Sequence, residues 1–376
     1  MSRFRPFIWP AAIVVIAAVV YFAKIQKEMV DFKVYRTAAT RAIAGEPLYR
    51  EADGHYQYKY LPAFAVAMVP FAGLDEEAAK VVWFAMSVGL LSALIRWAVR
   101  ALPERRRPEP ALVWIAILLM GKFYAHELNL GQTNILLGTL LIGALLAAQT
   151  DLRGFAGALV ALGVFVKIYA IILVPWLVVV AGLPGLLVFL GVLIVGLAMP
   201  AAIYGWSGNL AQLADWYHTI TSTSAPNLLM PENISFATMW AKWIGPGDVS
   251  ARAAMLCGVA AVLLAAWVVR RRKGVYDPSY LEFGLLMLFV PLLSPQGWDY
   301  VLLLATPAIV CIVDRVAEMS RAWRVVTWSA IAVMSFTIFD LLGRTLYTRL
   351  MALSVVTVAV CVLAASLSYL RWRELA

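Results

Sequence analysis

Stretches of apolar residues, each about as long as the hydrocarbon core of a bilayer is thick, recur along this sequence and constrain its fold more than any other feature. They lie near residues 7–24, 79–101, 111–125, 132–149, 155–181, 183–204, 252–269, 281–293, 300–313, 324–342 and 348–370. A run of about 20 apolar residues crosses a membrane as a helix, because a helix satisfies its own backbone polar groups where water is absent. Hydrophobic residues make up 63% of the chain and charged residues 14%, against about 45–50% and about 25% in soluble domains. The sequence therefore predicts an all-α, polytopic integral membrane protein in which residues 1–376 form a single transmembrane domain.

The formal net charge of +9 is concentrated in short basic clusters between or beside the apolar runs. The clusters are RFR near the N-terminus, RRR at 105–107, RRRK at 270–273 and RWR at 371–373. Clusters of this kind indicate topology and contact with membrane lipid headgroups, and they do not imply a nucleic-acid partner. The positive-inside rule places the first, third and fourth clusters in the cytoplasm.

One short run, Leu61 to Leu74, is interrupted by Pro62 and Pro70. If it were a full span, the basic segment 103–110 would lie outside, against the charge rule. The rule is restored if the short run is re-entrant or interfacial and the run at 155–181 is a hairpin of two short helices turning near Lys167. Both topologies give about 12 membrane segments with both termini inside. We favour the second, because it gathers the polar residues at one membrane face.

Two stretches are too polar to be spans, and both fall outside: 26–60, the first extracytoplasmic loop, and 205–250, the second large one. Within the first, VYRTAATRAIAG has helical spacing and predicts an amphipathic helix lying along the membrane. Gly45-Glu46-Pro47 ends it. The second is rich in Trp, Tyr and amide side chains, which suit a surface facing sugars or headgroups and are also ordinary interfacial anchors.

Asp31 lies just beyond the first apolar run, in the first outer loop, and beside the predicted outer membrane surface. A carboxylate there must face water or have a role that offsets the cost of partial desolvation. One role is that of a general base. The other is an N-cap or first-turn acid of the amphipathic helix, worth about 1 kcal/mol. The residues alone leave both interpretations open.

Cationic and hydrogen-bonding side chains that could meet a phosphate are few. They are Arg36, Lys59, His126 and Lys167. A lysine within an apolar run is costly and marks a pathway or a partner, although snorkelling to the interface is the alternative. Lys59, set between two tyrosines, could contact phosphate or anchor at headgroups. His126 and Glu127, which precede GQTN, could simply cap the outer end of a span.

Two further motifs offer polar groups near helix ends. Gln132 and Asn134, in GQTN, could bond sugar hydroxyls or phosphate, or cap a helix start. Trp298 and Asp299 follow a Ser-Pro break, where freed backbone can line a cavity. Asp299 is the alternative base, and it could also bind the acceptor or pair with Lys167.

Motifs for several other chemistries are missing from the sequence. It contains no Walker A, GxGxxG, HExxH or paired-cysteine motif, which removes nucleotide hydrolysis, dinucleotide chemistry and zinc proteolysis as supported functions. No DxD or carboxylate cluster occurs in the outer loops, so neither a metal nor another cofactor is expected.

Several segments, in order, resemble glycosyltransferase family 87. They are DFKVYRTAATRAIAGEPLY, YKYLPAFAVAMVPFAGL, LNLGQTN, GFAGALVALGVFVKIYAIILVP and LLSPQGWDYVLLL. The resemblance implies a GT-C-like helical bundle in the bacterial inner (plasma) membrane. Enzymes of this type take a sugar from a polyprenyl phosphate on the outer side of the membrane, and the active site then faces outward.

The resemblance also assigns roles to residues that match the family pattern. Asp31 matches the acid taken to be the catalytic base. The matching substrate-binding positions are Tyr35, Tyr58, Lys59, Tyr60, Gln132, Asn134, Lys167, Tyr169 and Trp298. Two departures stand out: WDY occurs where members commonly have a histidine after the tryptophan, and KIYA occurs where KxYP is frequent.

The resemblance and the residues together predict an inverting hexosyltransferase, with mannose the favoured sugar. It would move the sugar from polyprenyl phosphate to a lipid or glycan acceptor. A transporter or flippase of lipid-linked sugars is the alternative, and an inverted repeat would favour it; none is evident in the sequence. A non-catalytic scaffold of envelope assembly is a third possibility.

Overall fold

The computed structural model describes residues 18–375, so most of the predicted first span at 7–24 lies outside the described residues. Within them the chain is helical and forms no strand. The α-helices are α1 (Val30–Ile43), α2 (Pro62–Ala67), α3 (Val69–Ala72), α4 (Glu76–Arg100), α5 (Glu109–Leu130), α6 (Asn134–Gln149), α7 (Arg153–Val166), α8 (Val174–Ala198), α9 (Ala201–Ser222), α10 (Phe236–Ile244), α11 (Asp248–Arg270), α12 (Ser279–Leu293), α13 (Thr306–Arg315), α14 (Arg321–Phe336), α15 (Phe339–Ala352) and α16 (Val355–Leu375).

Among the described helices, six are long and apolar enough to cross a membrane. They are Glu76–Arg100, Glu109–Leu130, Ile168–Ala198, Asp248–Arg270, Asp299–Glu318 and Val355–Leu375. A seventh is reached if α14 and α15, which bend by 105° at their junction, count as one span. Helices α6, α7 and α12 are apolar but only 16, 14 and 15 residues long. The predicted total of about 12 membrane segments is therefore not confirmed.

The short apolar run after Tyr60 does not form a full span. Its two prolines each lie near the start of a short helix, α2 with six residues and α3 with four. Proline is tolerated in the first helical turn and disrupts the interior. Neither helix approaches the roughly 20 residues that a crossing requires. This agrees with the topology in which the run is re-entrant or interfacial.

The apolar run at 155–181 is broken at Lys167. Helix α7 ends at Val166, and Lys167 has extended backbone with φ −151° and ψ 126°. A 3₁₀ helix, Ile168–Leu173, then leads into α8, which packs closely against α7. The predicted hairpin that turns near Lys167 is therefore present.

Helix α8 is itself broken at Gly182. Gly182 has φ 62° and ψ −158°, a conformation that essentially only glycine adopts. Beyond the break, Gly185 lies against Gly157 of α7, and Gly196 lies against Phe165 of α7. Residue numbers increase in the same direction along both helices, from the contact of Gly157 with Gly185 to that of Phe165 with Gly196. This second part therefore runs parallel to α7. The break coincides with the boundary that the sequence predicts between its fifth and sixth apolar runs.

The basic segment 103–110 lies at one end of the bundle beside other charged groups. The backbone N–H of Arg106 donates to Asp314 Oδ2 at 2.9 Å, and its guanidinium lies 3.1 Å from Glu318. Nearby, Arg315 is paired with Glu374 near the C-terminus. The segment and the C-terminal helix therefore share one end of the bundle.

The third basic cluster joins the same end through Glu282. Both Arg272 and Arg371 lie 3.6 Å from the Glu282 carboxylate, and Arg371 also donates to Pro278 O at 2.8 Å. We call this region the arginine end, defined by Arg106, Arg272, Arg315 and Arg371. Helix α5 begins there at Glu109, contains 22 residues and ends at Leu130 at the other end of the bundle. The positive-inside rule predicts that the arginine end faces the cytoplasm.

We call the opposite end the site end, defined by Asp31, Gln132, Lys167 and Tyr300. There the two polar stretches 26–60 and 205–250 contact each other. Gln212 of α9 accepts a hydrogen bond from Leu48 N at 3.0 Å, and Trp216 donates to Lys59 O at 3.2 Å. Helix α9 therefore positions the loop that carries Lys59.

Candidate active site

Gln132 lies at the centre of the polar groups at the site end and joins a carboxylate to an ammonium. Its Nε2 donates to Asp31 Oδ2 at 2.9 Å. Its Oε1 accepts from Lys167 Nζ at 3.2 Å and from the hydroxyls of Tyr35 and Tyr60 at 3.1 and 3.3 Å. These partners fix the orientation of the carboxamide, since three donors surround the oxygen and an acceptor faces the nitrogen. We call these five side chains the Gln132 network.

The turn that carries Gln132 depends on the glycine before it. Gly131 ends α5 with φ 68°, in the left-handed region. A Cβ at this position would lie only 2.9 Å from Phe32 Cβ of α1. Trp83 Nε1 donates to Gly131 O at 3.0 Å. The turn thus packs directly on α1, one residue after Asp31, and this close approach lets the amide reach the carboxylate.

Glu127 organises the start of α6 and is fully buried. Its carboxylate accepts from Asn134 N at 3.2 Å and from Asn134 Nδ2 at 2.6 Å. Thr133, the N-cap residue, makes no capping hydrogen bond with its side chain. The Tyr169 hydroxyl donates to Asn134 Oδ1. Glu127 therefore caps the helix, while Asn134 links that cap to the segment after Lys167.

Asp31 lies in the first turn of α1 but does not cap it. The N-cap residue is Met29, with φ 58° and no side-chain cap hydrogen bond. Burial raises the pKa of the Asp31 carboxyl, and the nearby Lys167 ammonium followed by the Gln132 amide act in the opposite direction. A carboxylate with a raised pKa is a stronger base than an ordinary aspartate. The N-cap interpretation of Asp31 is therefore wrong, whereas its position in the first turn is as predicted.

Two lysines face the region of Asp31. Lys167 Nζ lies 5.5 Å from the ring centroid of Tyr60 and 5.8 Å from that of Tyr169, within the range of cation–π attraction. Burial lowers the pKa of Lys59, and the Asp31 carboxylate counteracts this. Within residues 18–375, neither lysine forms an ion pair within 4.0 Å. Both ammonium groups are therefore available to an anion.

Two of the predicted substrate-binding residues, Arg36 and Tyr58, make their side-chain hydrogen bonds to backbone carbonyls and not to the Gln132 network, although the Tyr58 ring lies 5.6 Å from that of Tyr60. Arg36 donates to Leu74 O at 2.7 Å, which holds the segment between α3 and α4. The Tyr58 hydroxyl donates to Leu61 O at 3.1 Å. Both side chains thus fasten backbone at the edges of the first loop. Arg36 turns away from the network because it follows the buried Tyr35 in α1, and successive residues of a helix point about 100° apart.

Trp298, Tyr300 and His126 form an aromatic group beside the network. The rings of Trp298 and Tyr300 are parallel within 8° with centroids 6.4 Å apart. The His126 ring is 5.0 Å from that of Tyr300. The Tyr300 hydroxyl accepts from Gln132 Nε2 at 3.5 Å. Tyr300 therefore connects the segment after the Ser-Pro break to the centre of the site.

Asp299 is buried and has a different partner from the one considered in the sequence. Its Oδ2 lies 3.9 Å from Lys122 Nζ, not beside Lys167. Lys122 also donates to Thr337 O at 2.9 Å. The backbone N–H of Asp299 donates to Glu232 O at 2.9 Å. Asp299 therefore belongs to a separate polar group between α5 and the α14–α15 junction.

Two residues of the site region, Tyr300 and Lys122, were missed by reasoning from the sequence. Glu127, just before the GQTN motif, was predicted as a capping residue at the end of a span, and in the structure it caps the start of α6. Tyr300 lies only two residues after Trp298, a predicted site residue, and the rings of the two residues are nearly parallel in the structure. Lys122 lies in an apolar run, the same signal that marks any intramembrane lysine as one with a partner.

The helices and the polar groups at their ends define a multi-pass membrane protein with a network of acid, amide and ammonium side chains at one end of its bundle. The model of glycosyltransferase family 87 matches residues 58–295, more than half of the chain. The chain belongs to this family and is accordingly a membrane glycosyltransferase. No curated protein and no solved structure matches it. The match includes Gln132, Asn134 and Lys167, whereas Asp31 precedes it.

Proposed function

We propose that this glycosyltransferase moves a hexose, with mannose the favoured sugar, from a polyprenyl-phosphate donor to a lipid or glycan acceptor. The observation that supports the proposal is that the side-chain amide of Gln132 hydrogen-bonds both a carboxylate and an ammonium group. Gln132 bonds the Asp31 carboxylate through Nε2 and the Lys167 ammonium through Oε1, at 2.9 and 3.2 Å. A base for the acceptor hydroxyl and a cation for the departing phosphate are the two charges that this transfer requires.

In the proposed reaction, Asp31 removes the proton of the acceptor hydroxyl as its oxygen bonds to the anomeric carbon. The bond between that carbon and the phosphate oxygen breaks, and its electron pair leaves with the polyprenyl phosphate. Lys167 and Lys59 stabilise the charge that develops on the phosphate. The proton on Asp31 then passes to water. A single displacement aided by one base inverts the anomeric centre.

The proposed orientation follows from the distribution of charge between the two ends of the bundle. The arginine end gathers the basic segments, which the positive-inside rule keeps in the cytoplasm. The site end then faces the outer side of a bacterial inner membrane. The lipid tail of a polyprenyl-phosphate donor would stay in the bilayer while its phosphate reaches Lys167. Membership of a glycosyltransferase family favours this enzyme over a transporter of lipid-linked sugars.

The test uses the full chain in lipid nanodiscs with tritiated polyprenyl-phosphate mannose and a bacterial lipid extract as acceptor. Asp31→Asn keeps the hydrogen bond acceptor but removes the base, so we expect transfer to fall by about 10²–10⁴-fold. Asp151→Asn is the matched control, because its exposed carboxylate lies in the loop between α6 and α7, away from the site.

Full transfer by Asp31→Asn would reject Asp31 as the base, and Asp299→Asn would then be tested. Retention of the anomeric configuration in the product would reject the single displacement. Failure of the wild type to transfer from any polyprenyl-phosphate hexose would reject the proposed donor class.

A further inference from the structure

Helix α9 lies across the site end and lacks the composition of a membrane span. It has 22 residues, which is long enough to cross, but it is not among the six described helices that are also apolar enough. Gly205, with φ 68° and ψ 172°, breaks it after its first turn. We call the part after this break, residues 206–222, the surface helix.

One face of the surface helix is polar and is buried against the protein. Asn209 Nδ2 donates to Leu197 O, at the end of α8, at 2.9 Å. Gln212 Oε1 accepts from Leu48 N of the first outer loop at 3.0 Å. Both amide side chains are buried. The helix therefore directs polar groups inward, which is the reverse of the pattern of a surface helix in a soluble protein.

The outward surface of this helix is divided into an apolar half and a polar half. Trp206, Leu210 and Tyr217 are 71%, 65% and 64% exposed. At about 100° per residue, these three side chains lie within about 40° of one another around the helix axis. The exposed side chains of His218 and Asp215 lie about 120° and about 180° around the axis from Trp206. One half of the outward surface therefore suits lipid chains, and the other suits water.

A boundary between lipid and water fits this division. Water on all sides would leave three large apolar side chains exposed, and patches of that kind mark interaction or membrane sites. Immersion among the lipid chains would leave the polar half without partners. Amphipathic helices lie at the boundary, where Trp and Tyr are enriched. The surface helix contains no lysine or arginine, as expected on the outer side of the membrane.

The lipid-facing surface of α8 leads into the apolar half. Ile194 and Val195, near the end of α8, are 64% and 69% exposed, and α8 belongs to one of the six stretches that could cross a membrane. Its second part runs parallel to α7, which ends beside Lys167, so α8 ends at the site end. The hydrogen bond from Asn209 to Leu197 O holds the start of the surface helix to this end of α8. The surface helix therefore begins at the level where α8 leaves the bilayer.

The surface helix also holds the loop that carries Lys59. Trp216 Nε1 donates to Lys59 O at 3.2 Å, and Gln212 bonds Leu48 N of the same loop. Lys59 is one of the two lysines near Asp31 that form no ion pair within the described residues. A helix fixed at the membrane surface would thereby fix the height of Lys59 relative to the phosphates of the lipids.

We propose that the surface helix lies in the outer interface of the bilayer, with Trp206, Leu210 and Tyr217 among the lipid chains and Asp215 toward water, and that it holds Lys59 at the level of the lipid phosphates. The partner of this face is a lipid surface. The role of Lys59 rests on the proposed function, whereas contact with lipid is measurable without any transfer.

The experiment replaces single residues of the full chain with the photoreactive residue p-benzoylphenylalanine, in nanodiscs made with tritiated phospholipid. Leu210 samples the apolar half of the surface helix. Asp215, exposed on the polar half of the same helix, is the matched control, and Ile194 of α8 is the reference for lipid contact. On illumination we expect tritiated lipid adducts from positions 210 and 194, and almost none from position 215.

A pair of charge variants tests the link to Lys59. Leu210→Asp with Tyr217→Asp places two carboxylates on the apolar half. Ser207→Asp with His218→Asp adds two carboxylates at exposed positions of the polar half. With a polyprenyl-phosphate donor in the bilayer, we expect kcat/KM to fall several-fold in the first pair, because the helix no longer enters the lipid. The second pair should stay close to the wild type.

Three results would overturn the inference. Lipid adducts from position 194 but not from position 210 would place the apolar half in water. A cross-link from position 210 to a second copy of the chain would make this face a protein interface. Equal lipid adducts from positions 210 and 215 would place the whole helix among the lipid chains.

These results are separable from failure of the proposed function. If the adducts follow the expected pattern but no donor supports transfer, the contact with lipid stands and the proposed reaction fails. If transfer occurs and both pairs of aspartate variants match the wild type, the surface helix does not set the position of Lys59.

Discussion

The two ends of the bundle use charge in different ways. At the arginine end, opposite charges contact directly, as in the buried pair of Arg371 and Glu282 at 3.6 Å. At the site end, Asp31 and Lys167 form no ion pair within 4.0 Å and instead share the Gln132 carboxamide. In a direct buried pair, each charge offsets part of the cost of burying the other. Under the proposed function, a pair separated by an amide leaves both charges available to substrates.

Among the variants that test this difference between the two ends, removal of Lys167 should have the largest effect on transfer activity. Lys167→Met deletes the cation proposed for the departing phosphate without breaking a direct ion pair. We expect kcat to fall by about 10²–10³-fold, with the thermal stability in detergent nearly unchanged. Lys27→Met, at an exposed position near the start of the first loop, is the control. A large loss of stability in Lys167→Met would show that this lysine is structural and that the contrast between the two ends is wrong.

Removal of Arg371 should have the opposite signature. Arg371→Met leaves the buried Glu282 with only Arg272 at 3.6 Å, so we expect the free energy of unfolding to fall by about 3 kcal/mol. The kcat of the folded fraction should stay close to that of the wild type. Denaturant titration in mixed micelles measures the first quantity and a transfer assay the second.

The double variant Arg371→Met with Glu282→Gln tests the reason for this loss. It removes the unpaired charge and should recover part of the stability. If the double variant were less stable than Arg371→Met alone, the pair would not be the source of the effect.

Much of the fold could be predicted from the sequence because the dominant signals are local. The lysine at 167 and the glycine at 182 mark breaks in long apolar runs, and the structure turns at both. Pro62 and Pro70 marked the run that is too short to span. Helix lengths were harder to predict where polar residues continue a helix: the apolar run at 111–125 belongs to α5, which extends through His126 and Glu127 to Leu130. The run at 132–149, by contrast, matches α6 to within two residues.

The site could be predicted in its residue types but not in its contacts. Asp31, Gln132 and Lys167 were expected to lie on one face, and the structure joins them directly. The partner of Asp299 was not predicted, since Lys122 reaches it from a helix far away in the sequence. The orientation of Arg36 likewise depends on which side of α1 is buried. Such pairings follow from helix packing, which sequence periodicity defines only for each helix separately.

The smallest expected effect is on the pH dependence of transfer. It tests whether Asp31 at the site end acts as a base without a direct ion pair. Burial raises the pKa of Asp31 above its ordinary value, so transfer should be lost as the pH falls through that raised pKa and the base is protonated. Stability should change in the opposite direction. Between the unfolded and the folded pKa of Asp31 the folded state binds more protons, so this group makes folding more favourable as the pH falls.

Lys59 lowers the pKa of Asp31 through its charge. Lys59→Gln should therefore move the acid limb of the kcat profile to higher pH, whereas Lys27→Gln should leave it in place. Profiles of wild type and both variants in nanodiscs, at constant ionic strength, measure the shift. A move to lower pH in Lys59→Gln would mean that Asp31 does not control the acid limb, and the group of Asp299 and Lys122 would become the better explanation for it.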